Sequence, residues 1–228
     1  MNYLFPPHLV PSAAIIGSES RFPVHRIYCI GRNYADHAKE MGAVVDRGNP
    51  VFFCKPADAI VADRAQIPYP LATADLHHEV EMVVALQSGG IDISEGQALK
   101  HVFGYAVGLD LTRRDLQNVA KTQALPWDSA KGFDRSAPVS AIRRATEVGH
   151  PQHAQLLLEV NGAVRQRTDI ADMIFSVPEI IARLSQLFEL KAGDLIFTGT
   201  PAGVAALKRG DRFHARLEGI AELHGAIA

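Results

Sequence analysis

Leu76-His77-His78-Glu79-Val80-Glu81-Met82 is a strand-forming stretch that carries two carboxylates. Side chains along a strand alternate faces, so Glu79 and Glu81 point the same way, roughly 7 Å apart, and Val80, Met82 and Val84 share the opposite, apolar face. Like charges on a half-buried strand repel one another and lose hydration. A bound cation offsets both costs. A solvent-facing strand with two hydrated glutamates avoids them too, and Glu-x-Glu by itself favours that plainer reading.

The balance changes thirty residues on, in Phe103-Gly104-Tyr105-Ala106-Val107-Gly108-Leu109-Asp110-Leu111-Thr112, a strand-like run in which Asp110 is the only charge. Three carboxylates, with no cysteine or well-spaced histidine pair beside them, form a hard oxygen donor set. It suits one Mg²⁺, Mn²⁺ or Ca²⁺ per chain better than Zn²⁺.

Outward from these strands, 228 residues at 47% hydrophobic and 21% charged describe one ordinary globular domain with a substantial core. A net charge of -2 gives no broad basic field, which argues against nucleic acid or an anionic membrane as partner. The start of the chain has no basic n-region and no later run is long enough to span a bilayer, so a cytoplasmic location is expected. Cys29 and Cys54, the only two cysteines, each lie in an apolar run and read as buried thiols.

Residues 1 to about 22 read as a loop-rich leader packed across the body. Arg26 to Gly31 reads as a strand, followed by a turn into a helix that Asn33 can cap and Gly42 can end. His37 and Glu40, three apart, share a helical face, the spacing a carboxylate needs to orient an imidazole that takes a proton from water. Spacing alone favours a solvated surface pair. Lys55 ends an apolar run before Pro56 and reads as an edge-strand lysine. Ser94 to Gln97 has the form of a capping box that opens a helix to about His101, and Thr112 with Asp115 can cap another through about Gln123. That second helix projects Arg114 and Gln117 together.

Leu125 to Asp134 reads as a packed loop that carries Trp127 and Lys131. Asn161-Gly162 signals a hairpin between Gln155 to Val160 and Ala163 to Arg167. Ser176 and Glu179 cap a core helix whose apolar positions are Ile180, Ile181, Leu184, Leu187 and Phe188. Asp194 to Val204 is a strand entering a glycine-rich turn that can offer backbone amides and the Thr200 hydroxyl to an anion.

From Arg26 to Glu222 the chain resembles the fumarylacetoacetate hydrolase superfamily. The likeness rests on Gly31-Arg32-Asn33-Tyr34 with His37 and Glu40, Phe53-Cys54-Lys55-Pro56, His77-His78-Glu79-Val80-Glu81, Gly108-Leu109-Asp110 with Arg114 and Asp115, Pro126-Trp127 with Ala130-Lys131, and Thr198-Gly199-Thr200-Pro201. Within the superfamily it is most similar to bacterial fumarylpyruvate hydrolases and to single-domain acylpyruvases. The resemblance implies an α+β, β-rich fold, a mixed β-sheet roll with short peripheral helices, in which 26–228 is the catalytic domain and 1–25 a leader. It also implies a homodimer, a divalent ion held by Glu79, Glu81 and Asp110, a His37–Glu40 pair that activates water, and Lys131, Gln117, Thr200 and Arg114 facing the substrate.

The expected reaction is hydrolysis of a 2,4-diketo acid, fumarylpyruvate to fumarate and pyruvate in aromatic-acid breakdown by the gentisate route. Residues 33–49 are expected to close over it as a lid. Arg32, Lys55 and Arg114 are the expected cations for the substrate's far carboxylate. Oxaloacetate decarboxylation, isomerisation of a muconate-type diacid, and a non-catalytic metal-stabilised binding module are the alternatives.

Overall fold

The computed structural model describes residues 2–40, 42, 48 and 50–228. Two mixed sheets face each other. The larger runs, in spatial order, Arg143–Arg144, Val102–Leu109, Val80–Leu86, Asp194–Phe197, Arg26–Gly31 and Val51–Lys55. The smaller runs Ala163–Asp169, Gln155–Val160, Arg212–Leu217, Ala221–Ile227 and Ala65–Ile67. Short helices lie at the periphery, so the chain is a β-rich α+β fold of the expected roll type.

Every residue of Val80–Leu86 is buried because its sheet is covered on both faces. Val80, Met82 and Val84 pack with Tyr28, Ile30 and Val107 against Leu156, Leu158, Phe213 and Leu223 of the smaller sheet. On the other face Val83 and Ala85 join Ile27, Cys29, Leu195 and Phe197, closed over by Ala13, Ile15, Phe22 and Val24. Those four come from the expected leader. Instead of a loop it contains an antiparallel hairpin, Ser12–Ile15 with Ser18–Pro23, turned by Gly17 at φ 69°. Its alternation of apolar and polar residues is short, and without the sheet beneath it such a hairpin would be marginal.

The Asn161-Gly162 hairpin forms with both residues in the left-handed region, φ 54° and 77°, and its second strand continues to Asp169. Helix Val177–Leu187 carries the Ser176–Glu179 capping box and buries Ile180, Ile181 and Leu184. Leu187 and Phe188 do not join that core. The helix ends at Leu187, which is 63% exposed, and the Phe188 ring turns outward against Tyr28 at 5.0 Å.

Ser94 precedes a helix, Glu95–Ala98, without a capping bond from its side chain, and a 3₁₀ turn continues it to His101. Cys29 is buried, but Cys54 is exposed because Val51–Lys55 is an edge strand with one uncovered face. The expected lid over 33–49 lies partly outside the described residues, at 41, 43–47 and 49. Among the described residues no helix is long and apolar enough to cross a membrane.

Candidate active site

The acids meet through strand register. Val80 pairs with Leu109 and Glu81 with Gly108, so the next residue on each side brings Asp110 opposite Glu79, where the Asp110 amide donates to the Glu79 carbonyl at 2.9 Å. One carboxylate oxygen from each of Glu79, Glu81 and Asp110 lies within 4.8 Å of the others, and all three side chains are buried.

Three cations answer them. Lys131 donates from Nζ to Glu79 at 2.7 Å, Asp110 at 2.5 Å and the Thr112 hydroxyl at 2.7 Å. The Arg114 guanidinium bonds Glu79 through Nη2 and Gln117 Oε1 through Nη1 at 2.5 Å. Lys55 stands 2.8 Å from Asp110 Oδ1, angled as an ion pair, and donates to the Leu111 carbonyl at 3.1 Å.

These contacts correct three expectations, and the backbone amides of the glycine-rich turn meet a fourth. Lys55 belongs to an edge strand, yet its side chain is fully buried and turned into the acid cluster. Lys131 sits on a short helix, Asp128–Lys131, where a loop was expected. The second capped helix begins only at Arg114, because the Thr112 side chain donates to the Asp110 carbonyl and accepts from Lys131 while Asp115 alone serves the helix start. The amide of Gly199 donates to Glu81 Oε2 at 2.7 Å, and so serves an acid of the site.

The electrostatics of the three acids differ. Burial alone would raise Glu79, but Lys131 and Arg114 beside it hold its carboxyl well below the usual range. Glu81 has no cation in ion-pair contact among the described residues, and burial, then Asp110 and Glu79, push it well above the ordinary 4.5. For Lys131, burial is outweighed by Asp110 and Glu79, which raise its pKa. A buried carboxylate crowded by two others and left without a countercharge fits a divalent cation, as does the all-oxygen donor set.

A second cluster, His214, Glu222 and His224, lies partly exposed on the outer face of the smaller sheet. Its imidazoles stack at 4.1 Å and pair with glutamates, a surface ion-pair ladder.

His37 lies on helix Ala35–Glu40, buried, with Nδ1 3.3 Å from Glu40 Oε2, and the Gly203 amide donates to the same carboxylate at 3.1 Å. Burial lowers the imidazole pKa below 6.5, while Glu79 and Glu40 pull it back up. His37, the three acids, Arg32, Arg114, Gln117, Lys131 and Thr200 line one pocket. Only about 30 Å³ is left between them. A larger open groove of about 530 Å³, bordered by Arg143, Gln155, Arg216, Glu218 and Glu222, shares no lining residue with this pocket.

Two residues of the site carried no signal. Gln166, the one buried side chain of its hairpin strand, accepts from the Val80 amide at 3.1 Å and donates to the Thr200 hydroxyl at 2.8 Å. Thr200 in turn donates to the Val80 carbonyl at 2.9 Å. Lys121, on the same helix as Arg114, also reaches the pocket. Both look like ordinary polar positions of amphipathic elements, and only tertiary packing turns them inward.

Asn33 does not cap its helix. Its amide donates to the carbonyls of Phe175 at 3.0 Å and Thr198 at 2.8 Å, and its Oδ1 accepts from the Phe175 amide at 2.7 Å. Asn33 therefore fixes the His37 helix to the turn that holds Glu81. Asn33→Ala would strand three buried backbone groups, and the expected loss is roughly 3 kcal/mol of unfolding free energy in urea titration, with reduced turnover. A loss below about 0.5 kcal/mol would show that this link is dispensable.

The profile of the fumarylacetoacetate (FAA) hydrolase C-terminal family matches residues 26–228. A crystal structure of fumarylpyruvate hydrolase from Pseudomonas aeruginosa in complex with Mn²⁺ and pyruvate superposes with a TM-score of 0.97 at 50% identity, covering 100% of this chain and 99% of that one. The mitochondrial oxaloacetate tautomerase FAHD1 of Rattus norvegicus is 43% identical over 197 residues, 86% of this chain and 89% of the relative. The oxaloacetate tautomerase YcgM of Escherichia coli is 42% identical over 199 residues, 87% and 90% of the two chains.

Proposed function

This chain belongs to the fumarylacetoacetate hydrolase family, and from that premise we propose that it hydrolyses acylpyruvates, with fumarylpyruvate cleaved to fumarate and pyruvate. The observation that carries this reading is the placement of His37, backed by Glu40, on the wall of the pocket that holds Glu79, Glu81 and Asp110. The match to a fumarylpyruvate hydrolase along the whole chain, N-terminal hairpin included, supports the substrate.

Glu79, Glu81 and Asp110 would hold Mg²⁺ or Mn²⁺, which when bound supplies a Lewis acid and template for a 2-oxo acid. The three acids equal Lys55, Arg114 and Lys131 in number, so a divalent ion leaves the pocket cationic and suited to an anionic substrate. With Nδ1 turned to Glu40, His37 keeps the lone pair of Nε2 for a water proton. The water oxygen adds to the C4 carbonyl, and the C3–C4 bond then breaks. Its electron pair moves to the pyruvate fragment as an enolate. Lys131 and Arg114 offset that charge, and the proton held by His37 is returned to the products.

The tautomerase relatives favour a second reading, proton transfer between the enol and keto forms of oxaloacetate, which needs a base but no attacking water. It was not among the alternatives drawn from the sequence. Specificity constants for fumarylpyruvate and acetylpyruvate hydrolysis, and for oxaloacetate tautomerisation and decarboxylation, separate these readings when measured on metal-stripped and Mn²⁺-restored protein. Fumarylpyruvate is expected to lead by at least tenfold, and only with the ion restored. Oxaloacetate as the best substrate would overturn the hydrolase reading.

A further inference from the structure

We infer that Lys121 and Arg32 form a second carboxylate subsite at the mouth of this pocket, which reads the far end of a dicarboxylic 2-oxo acid. The inference rests on the proposed activity and supplies the selector that activity needs. The expected distal cations were Arg32, Lys55 and Arg114, and two of these are already committed. Lys55 is fully buried on Asp110, and Arg114 is held by Glu79 and Gln117. Neither has a free charge to offer a distant group.

Lys121 and Arg32 differ in kind. Both line the pocket, and among the described residues neither side chain is within ion-pair distance of a carboxylate or makes a hydrogen bond. The helix Arg114–Thr122 sets the spacing. Arg114, Gln117 and Lys121 stand at i, i+3 and i+7, so they share one face, and Lys121 lies about 10 Å further along the axis than Arg114. That is a suitable offset for the far end of a seven-carbon chain anchored at the acids.

The Lys121 ammonium lies 5.6 Å from the centre of the Trp127 ring, and Trp127 packs on Phe53, whose ring in turn lies 5.0 Å from Lys131 Nζ. One aromatic wall thus runs from the inner lysine to the outer one. Burial lowers the Lys121 pKa to about 8, and Arg114 and Arg32 press the same way. A ligand carboxylate reverses that pressure. Arg32 adopts φ 62°, a left-handed conformation uncommon for a non-glycine residue and often kept at functional turns.

Two seven-carbon ligands isolate the far charge, 2-oxopimelate with a terminal carboxylate and 2-oxoheptanoate without one. Their affinities for Mg²⁺-loaded protein are read by isothermal titration calorimetry, with Trp127, the only tryptophan of the chain, as a fluorescent second reporter. Wild type is expected to prefer 2-oxopimelate by roughly tenfold or more, and Lys121→Met with Arg32→Gln to bring the ratio within about twofold. Lys121→Arg should keep most of the preference. No preference in wild type, or an undiminished one in the double variant, overturns the subsite. Because the readout is binding, a wild type that prefers the diacid yet cleaves no acylpyruvate would sink the hydrolase reading and leave the subsite standing. Where hydrolysis is seen, Lys121→Met should lower kcat/KM for fumarylpyruvate at least tenfold more than for acetylpyruvate.

Discussion

Glu81→Gln is expected to lose roughly three orders of magnitude or more in turnover at ordinary Mn²⁺ or Mg²⁺ concentrations, while the metal-free protein becomes no less stable. Glu81 is the acid without a cation in contact, raised by burial, Asp110 and Glu79. The carboxamide oxygen introduced by the substitution would still accept from the Gly199 amide, which bonds the Glu81 carboxylate at 2.7 Å, so the turn keeps its shape. What disappears is a charge the cation needs and the empty fold tolerates poorly.

The sign of the pH effect follows. A carboxyl whose folded pKa is raised contributes stability that is complete below its unfolded value near 4.5 and is lost as pH rises through the folded value. Metal-free wild type should therefore fall behind Glu81→Gln as pH rises above about 4.5. Added Mn²⁺ should raise the melting temperature of wild type by mass action and leave that of the variant nearly unmoved. Thermal melts at several pH values, with and without Mn²⁺, test all three statements. Full activity in chelator-treated Glu81→Gln would remove the ion from the chemistry.

How far the site is readable before folding depends on whether its signal is local. Glu79, Glu81 and Asp110 announce themselves because a charge inside an apolar strand is an anomaly that period-two alternation exposes at once. Lys55 follows an equally apolar run, but a terminal lysine is what an edge strand ordinarily carries. Only the Ile27–Lys55 register and the acid cluster beyond it show that the side chain turns inward. Asn33 is a similar case: a good local cap is outcompeted by backbone partners 142 and 165 residues away. Lys121 reads as a solvated position because nothing in a helical pattern distinguishes a lysine facing water from one facing a cleft. The N-terminal hairpin has little local signal because its buried apolar residues, Ala13, Ile15 and Phe22, are few and gain their burial from the sheet they cover. Local anomalies survive translation into structure, whereas partners supplied by distant chain have no local trace.

His37→Ala is expected to lower hydrolysis by roughly 10²- to 10⁴-fold while leaving cation uptake intact, since the three carboxylates that would hold the ion do not include it. The imidazole is buried, and desolvation chiefly lowers its pKa below 6.5 against the opposing pull of Glu79 and Glu40. The base is the neutral form. Activity should then rise with pH along a single limb centred below 6.5 and be level by neutrality.

Glu40 sharpens the test, because its carboxylate raises the His37 pKa and is itself held by the Gly203 amide. Removing its charge in Glu40→Gln should shift the acid limb to lower pH and reduce kcat more than it raises KM. A residue that merely packed the helix would leave the position of the limb unchanged. Exogenous imidazole should restore part of the activity of His37→Ala if the cavity admits it. Near-normal turnover by His37→Ala, with the same acid limb as wild type, would assign water activation to another group and leave His37 a buried partner of Glu40. A deep loss of hydrolysis with oxaloacetate tautomerisation retained would separate the two chemistries at this one side chain, because only hydrolysis requires a water to be deprotonated and delivered to carbon.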